Sequence, residues 1–160
     1  MNQNFAKNLI KGKIAETIFE LMFRESEQYT VLNFGYEYVL PEVAQYQHLL
    51  KKPEVIETLR HTPDFVLISK DRSEVNIVEV KYRAQRDDKE ITEIAQTLIN
   101  NAWPSPWLFI ASPDGFFYEP CHTIIQKKGQ IGELYKTHIN EELQNKYIKL
   151  LNEFELNKTI

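Results

Sequence analysis

Over the first 25 residues the apolar positions recur at helical spacing. Ile10, Ile14, Ile18 and Leu21 form one stripe, and Phe5, Phe19 and Phe23 fall on nearly the opposite side at about 100° per residue. With no proline and one glycine between Asn2 and Glu25, this predicts a single long helix covered on two sides. Tyr29 to Leu40 is rich in β-branched and aromatic residues with partial alternation, which predicts a strand bent at Gly35 and stopped by Pro41. Pro41 to His61 is polar, and the apolar positions Val55, Ile56 and Leu59 predict a loop containing a short helix. Thr62 to Ser69 and Val75 to Tyr82 flank the polar turn Lys70 to Glu74 and predict a β-hairpin.

Asp87 to Ala102 predicts a second helix. Asp87, Asp88 and Glu90 suit its positive N-terminal end, Ile91, Ile94, Leu98 and Ala102 line one face, and Pro104 and Pro106 end it. Trp107 to Ala111 is a short unbroken apolar run, as expected of a strand buried on both faces, and Pro113-Asp114-Gly115 reads as a turn before Phe116-Phe117-Tyr118. His138 to Glu155 gives a last amphipathic helix through Ile139, Leu143, Tyr147, Leu150, Leu151 and Phe154. The order helix, strand, hairpin, helix, strand or two, helix predicts an α/β fold.

Length and composition narrow the picture. A chain of 160 residues is enough for one core and too short for two, and no repeat, linker or composition break divides it, so a single domain over 1–160 is expected. One cysteine closes no intramolecular disulfide, and the first residues lack the charged-then-apolar run of a secretory signal; a reducing, cytoplasmic setting is expected. No apolar run approaches the roughly 18 to 20 residues that span a bilayer, so no membrane partner is expected. With 19 Lys and Arg against 23 Asp and Glu, net charge -4, the chain does not coat nucleic acid by bulk charge, and any such claim has to come from a local site.

The hairpin offers one. Strand side chains repeat every two residues, so Ile77, Glu79 and Lys81 share one face while Val78, Val80 and Tyr82 take the other. A turn centred on Arg72 and Ser73 places Asp64 opposite Lys81 and diagonal to Glu79; a shifted register places it opposite Glu79. Either way the three side chains lie within about 5 to 8 Å on one face. Two carboxylates at that distance repel unless a cation sits between them, and oxygen ligands suit a hard divalent ion such as Mg²⁺. A lysine beside such an ion can orient or deprotonate a water and stabilise charge growing on a phosphate, so the set suits phosphodiester hydrolysis.

Pro63-Asp64, fourteen intervening residues, then Glu79-Val80-Lys81 resembles the signature of the PD-(D/E)XK nuclease superfamily, which includes many restriction endonucleases and archaeal Holliday-junction resolvases. Gly12-Lys13-Ile14-Ala15-Glu16 resembles the segment in which many members carry an additional metal-site glutamate, and Glu16 lies about 20° from Phe23 on the helical wheel, at the edge of the second apolar stripe. Gln96 resembles a glutamine that some branches place near the active site, although Asn100 stands where those branches often have tyrosine. The resemblance implies a restriction-endonuclease-like core (αβββαβ) over about 2–112, a mixed central sheet flanked by helices, with a C-terminal hairpin and helix extension over about 113–160. It further implies a Mg²⁺-dependent nuclease, with Mn²⁺ as a substitute, acting on nucleic acid and most simply on DNA. Asp64 and Glu79 would be metal ligands, Glu16 a supporting ligand, Lys81 the residue near the attacking water, and Gln96 an accessory residue. A symmetric homodimer, with two sites for two strands, is compatible with so small a chain.

Blander readings stand beside these. A Glu-x-Lys strand can be a surface ion pair of little worth, and the fold can serve as a nucleic-acid-binding or protein-interaction module without turnover. His48, His61, His122, His138 and Cys121 are too widely spaced to read as a zinc set. Trp103 and Trp107 read as core packing before they read as a platform for bases. Lys81, Arg83, Arg86 and Lys89, with Lys11 and Lys13 of the first helix, would form a positive rim for phosphates if their segments meet.

Overall fold

The computed structural model describes residues 2–35, 54 and 61–156. Helix α1 (Gln3–Glu25) begins where Asn2 Oδ1 accepts from the Asn4 amide at 3.0 Å and ends where Glu27 enters the left-handed region at φ 58°. Strand β1 (Tyr29–Asn33) follows and is shorter than its apolar run; residues 36–40 and the expected helix around Val55 to Leu59 lie outside the described residues.

Strands β2 (Phe65–Ser69) and β3 (Val75–Tyr82) form the expected hairpin. At its tip Asp71 Oδ1 accepts from the Ser73 amide and from the hydroxyls of Ser69 and Ser73, while Arg72 takes φ 61°. These bonds hold the Asp71 carboxyl down to about 2 and lock the turn that sets the register. Helix α2 (Asp88–Asn100), capped by Asp87 on the Glu90 amide, crosses to β4 (Trp107–Ser112), which lies parallel to β3. Strand β5 (Gly115–Pro120), helix α3 (Cys121–Gln126) and helix α4 (Glu141–Leu156) complete the described chain.

The five strands form one mixed sheet in the order β1-β2-β3-β4-β5, antiparallel except between β3 and β4. Helices lie on both faces. Ala15, Ile18, Phe19, Met22 and Phe23 of α1 pack with Val78, Val80 and Phe109, joined by Leu143, Tyr147 and Leu151 of α4. On the other face Ile91, Ala95 and Leu98 of α2 meet Leu108, Ile110 and Phe117, with Cys121 and Ile124 of α3. Among the described residues no helix is long and apolar enough to cross a membrane.

Two expectations need correction. Helix α1 is covered on its second side only in part: Phe19 and Phe23 of one stripe and Ile18 of the other are buried, while Phe5, Ile10 and Leu21 are 60%, 55% and 46% exposed. The sheet takes the phenylalanine side, and α4 meets α1 along the Ile14 and Ile18 edge, where it stops. Helix α3 was not expected, because six residues are too few to display a period.

Candidate active site

The ladder settles the hairpin register. Phe65 pairs with Val78 and Val66 with Ile77, so continuing the pairing by one residue sets Asp64 opposite Glu79, the second of the two registers. Asp64 lies just before β2 and is fixed from both ends. Its carbonyl accepts from the Phe34 and Gly35 amides at 2.9 and 3.2 Å, and its Oδ2 accepts from the Val80 amide at 2.8 Å. Glu79 Oε1 is 2.7 Å from Lys81 Nζ, and only 14% of the Glu79 side chain is exposed. Glu16, half-buried on α1, borders the same cleft as Asp64 and Lys81 and pairs with Lys13 Nζ at 3.0 Å.

Three carboxylates and one lysine thus gather at one end of the sheet, Asp64 and Glu16 at the cleft beside α1, Glu79 at the cleft on the α2 side, and Lys81 at both. Burial, then the Glu79 and Glu16 charges, push the Asp64 carboxyl well above the usual carboxylate range. Burial also raises Glu79, against the opposing pull of Lys81. Burial works to lower the Lys81 ammonium, but the adjoining Glu79 carboxylate and Asp64 outweigh it, and its pKa is raised. Lys81 is therefore a charged donor committed to Glu79, and Asp64 is a buried acid short of positive charge.

The cleft in front of Asp64, about 580 Å³, is bordered by Asn8, Lys11 and Gly12 of α1 and by Arg83 and Glu90. A smaller one of about 300 Å³ opens on the α2 side between His61, Glu79 and Thr97. Lys81 and Glu90 border both. Of the expected positive rim, Lys81, Arg83 and Lys11 reach the larger cleft. Arg83 does so while paired to Glu90, with Nε 2.7 Å from Oε1, and Lys11 lies over the Tyr82 ring, 3.8 Å from Glu155. Arg86 is held elsewhere, bidentate on Asp114 at 2.8 and 3.2 Å and stacked 3.7 Å over Phe117, and Lys13 and Lys89 are exposed outside the cleft.

The chain matches no known family pattern and no curated protein. The structure brings Asp64, Glu79, Lys81 and Glu16 together and leaves Gln96 apart: Gln96 is exposed on α2 and donates to Asn100 Oδ1 at 2.9 Å, bordering neither cleft. Sequence reasoning missed Asn8 and Glu90. Asn8 carried a signal, since Asn8, Gly12 and Glu16 are four apart and share a helix face. Trp103 is also not a platform beside the carboxylates; its Nε1 donates to the His61 carbonyl at 3.1 Å and its ring meets Phe34 edge-on, tying down the chain that leads to Asp64.

Among the described residues no group of three or more His, Cys, Asp and Glu side chains is close enough to hold a metal ion. The donor chemistry still fits a hard divalent ion at Asp64 and Glu79, because Mg²⁺ is commonly held by one or two carboxylates and keeps several waters. Both groups carry oxygen donors, both are desolvated, and among the described residues no hydrogen bond engages Asp64 Oδ1, opposite the oxygen bonded to Val80.

Proposed function

We propose that this chain is a metal-dependent nuclease that hydrolyses phosphodiester bonds, most simply in DNA, on a restriction-endonuclease-like core. The observation that carries the reading is the convergence of Asp64, Glu79 and Lys81, from a strand start and its hairpin partner: Asp64 borders the larger cleft, whose rim adds Lys11 and Arg83, Glu79 borders the smaller one, and Lys81 borders both. Asp64 and Glu79 would hold Mg²⁺ or Mn²⁺, with Glu16 near enough to act on both electrostatically. Such an ion, when bound, supplies Lewis-acid polarisation of a phosphate oxygen and a more acidic water.

The residues' own roles follow from their charges. Lys81, protonated and 2.7 Å from Glu79, is placed to donate a hydrogen bond to the attacking water or to a phosphoryl oxygen where negative charge grows. Glu79 orients that ammonium. Lys11 and Arg83 draw the backbone phosphate into the larger cleft.

The test is incubation of purified protein with supercoiled, linear, single-stranded and four-way-junction DNA in Mg²⁺ or Mn²⁺, with EDTA and Lys81→Ala as controls. Cleavage that needs the metal and falls roughly 10²- to 10⁴-fold in Lys81→Ala is expected; equal metal-dependent cleavage by both proteins would sink the assignment. A binding module without turnover is the second reading. The close Glu79–Lys81 pair favours it. It predicts DNA retention with no product and no Mg²⁺ bound at millimolar concentration.

A further inference from the structure

The side of α1 that the sheet leaves uncovered is a built surface. Leu9 and Ile10 are each 55% exposed, Leu21 46% and Phe154 of α4 48%. With Ile14 and Leu150 they line an open groove between α1 and α4. We propose that a second copy of this chain occupies it, α1 packing antiparallel on α1 about a two-fold axis near Ile14 to Thr17. This inference does not rest on the nuclease reading.

Charge and area point to that occupant. Lys13 borders the groove, and Glu20 follows two turns later along the same edge, about 10 Å away at 1.5 Å per residue. Each now makes a pair within its own helix, Lys13 with Glu16 and Glu20 with Arg24. Reversing the helix direction sets Lys13 of one copy beside Glu20 of the other, twice over, while Leu9 and Ile10 meet Leu21. A parallel arrangement juxtaposes like charges instead. The self-matching arrangement is what a two-fold interface requires.

The four exposed apolar side chains leave on the order of 400 Å² in water, the size of the largest patch on a typical soluble chain, which is often functional. Taken from both copies with the charged edge added, this reaches about 1,200 Å², the lower bound of standard interfaces.

Sedimentation equilibrium of the full chain up to roughly 100 µM, a range that detects even a weak dimer, tests this. A mass twice the 18.9 kDa of one chain is expected. Leu21→Arg should raise the dissociation constant at least tenfold, as should Lys13→Glu and Glu20→Lys singly, while the double reversal restores it to within about threefold. Far-ultraviolet circular dichroism checks that each variant folds. A wild-type monomer throughout the range, as when another macromolecule or a lipid surface covers this face, overturns the proposal. So does a dimer indifferent to Leu21→Arg, and failure of the double reversal to restore association overturns the antiparallel arrangement.

Discussion

Asp64 is the residue whose ionisation governs the cleft. Its folded-state pKa lies above the unfolded value, so between those two values the folded chain holds more protons than the unfolded one. Stability from this group therefore falls as pH rises out of the ordinary carboxylate range through the raised value, and at neutral pH it is a penalty. Asp64→Asn is expected to melt a few degrees higher than wild type at pH 7, with the gap closing at acid pH, as followed by calorimetry. Mg²⁺ must displace the same proton, so affinity titrated by calorimetry should weaken as pH is lowered and vanish in Asp64→Asn. Much of this was legible in the residues: Asp64, Glu79 and Lys81 on one face follow from strand alternation alone. Whether Asp64 stands opposite Lys81 or Glu79 was not, because two registers satisfy the same pattern and the Asp71 turn decides between them. Gln96 lay beyond reach for another reason: a polar residue at a helix edge shows which stripe it borders, not what stands opposite.

Among the elements, two glycines have opposite consequences. Gly129, just past α3, has φ +92°, and a Cβ there would stand 1.9 Å from the Asp88 carbonyl that opens α2. Gly129→Ala should cost on the order of 3 kcal/mol in chemical denaturation, since neither backbone can yield without parting α3 from α2. Gly12 sits mid-helix with nothing within 4 Å of a built Cβ. Gly12→Ala should stabilise α1 by about 1 kcal/mol yet narrow the cleft mouth, so melting temperature and DNA cleavage should move in opposite directions. The elements themselves were largely readable, α1, the hairpin and α2 from their periods and β4 from its unbroken apolar run. What periodicity misjudged was coverage: the Ile10–Leu21 stripe has the spacing of a buried face, but burial depends on where α4 runs, and that is fixed by Tyr147 and Lys146 reaching Glu25, 122 and 121 residues away.

At the scale of the whole molecule, a body of net charge -4 presents a small positive rim. Among the described residues, the basic side chains that border the larger cleft are Lys81, Arg83 and Lys11, and each already faces an acid. DNA affinity measured without turnover, in Ca²⁺, should therefore fall with salt with a modest slope of about −2 to −3 in a log–log plot, as for two or three phosphates. Lys11→Gln should reduce that slope by about one. A slope near −8 would locate binding on some other surface.

The bond from the Val80 amide to Asp64 Oδ2 ties the carboxylate to the frame of the sheet. A side-chain oxygen there does what a neighbouring strand's carbonyl ordinarily does, so the acid is aligned by strand pairing rather than by its own rotamer preference. The molecule thereby carries an internal reporter. The Val80 amide proton resonance in a nitrogen-15 correlation spectrum should shift as Asp64 ionises and again when a cation takes up its other oxygen, which makes the state of the cleft visible without substrate, label or turnover.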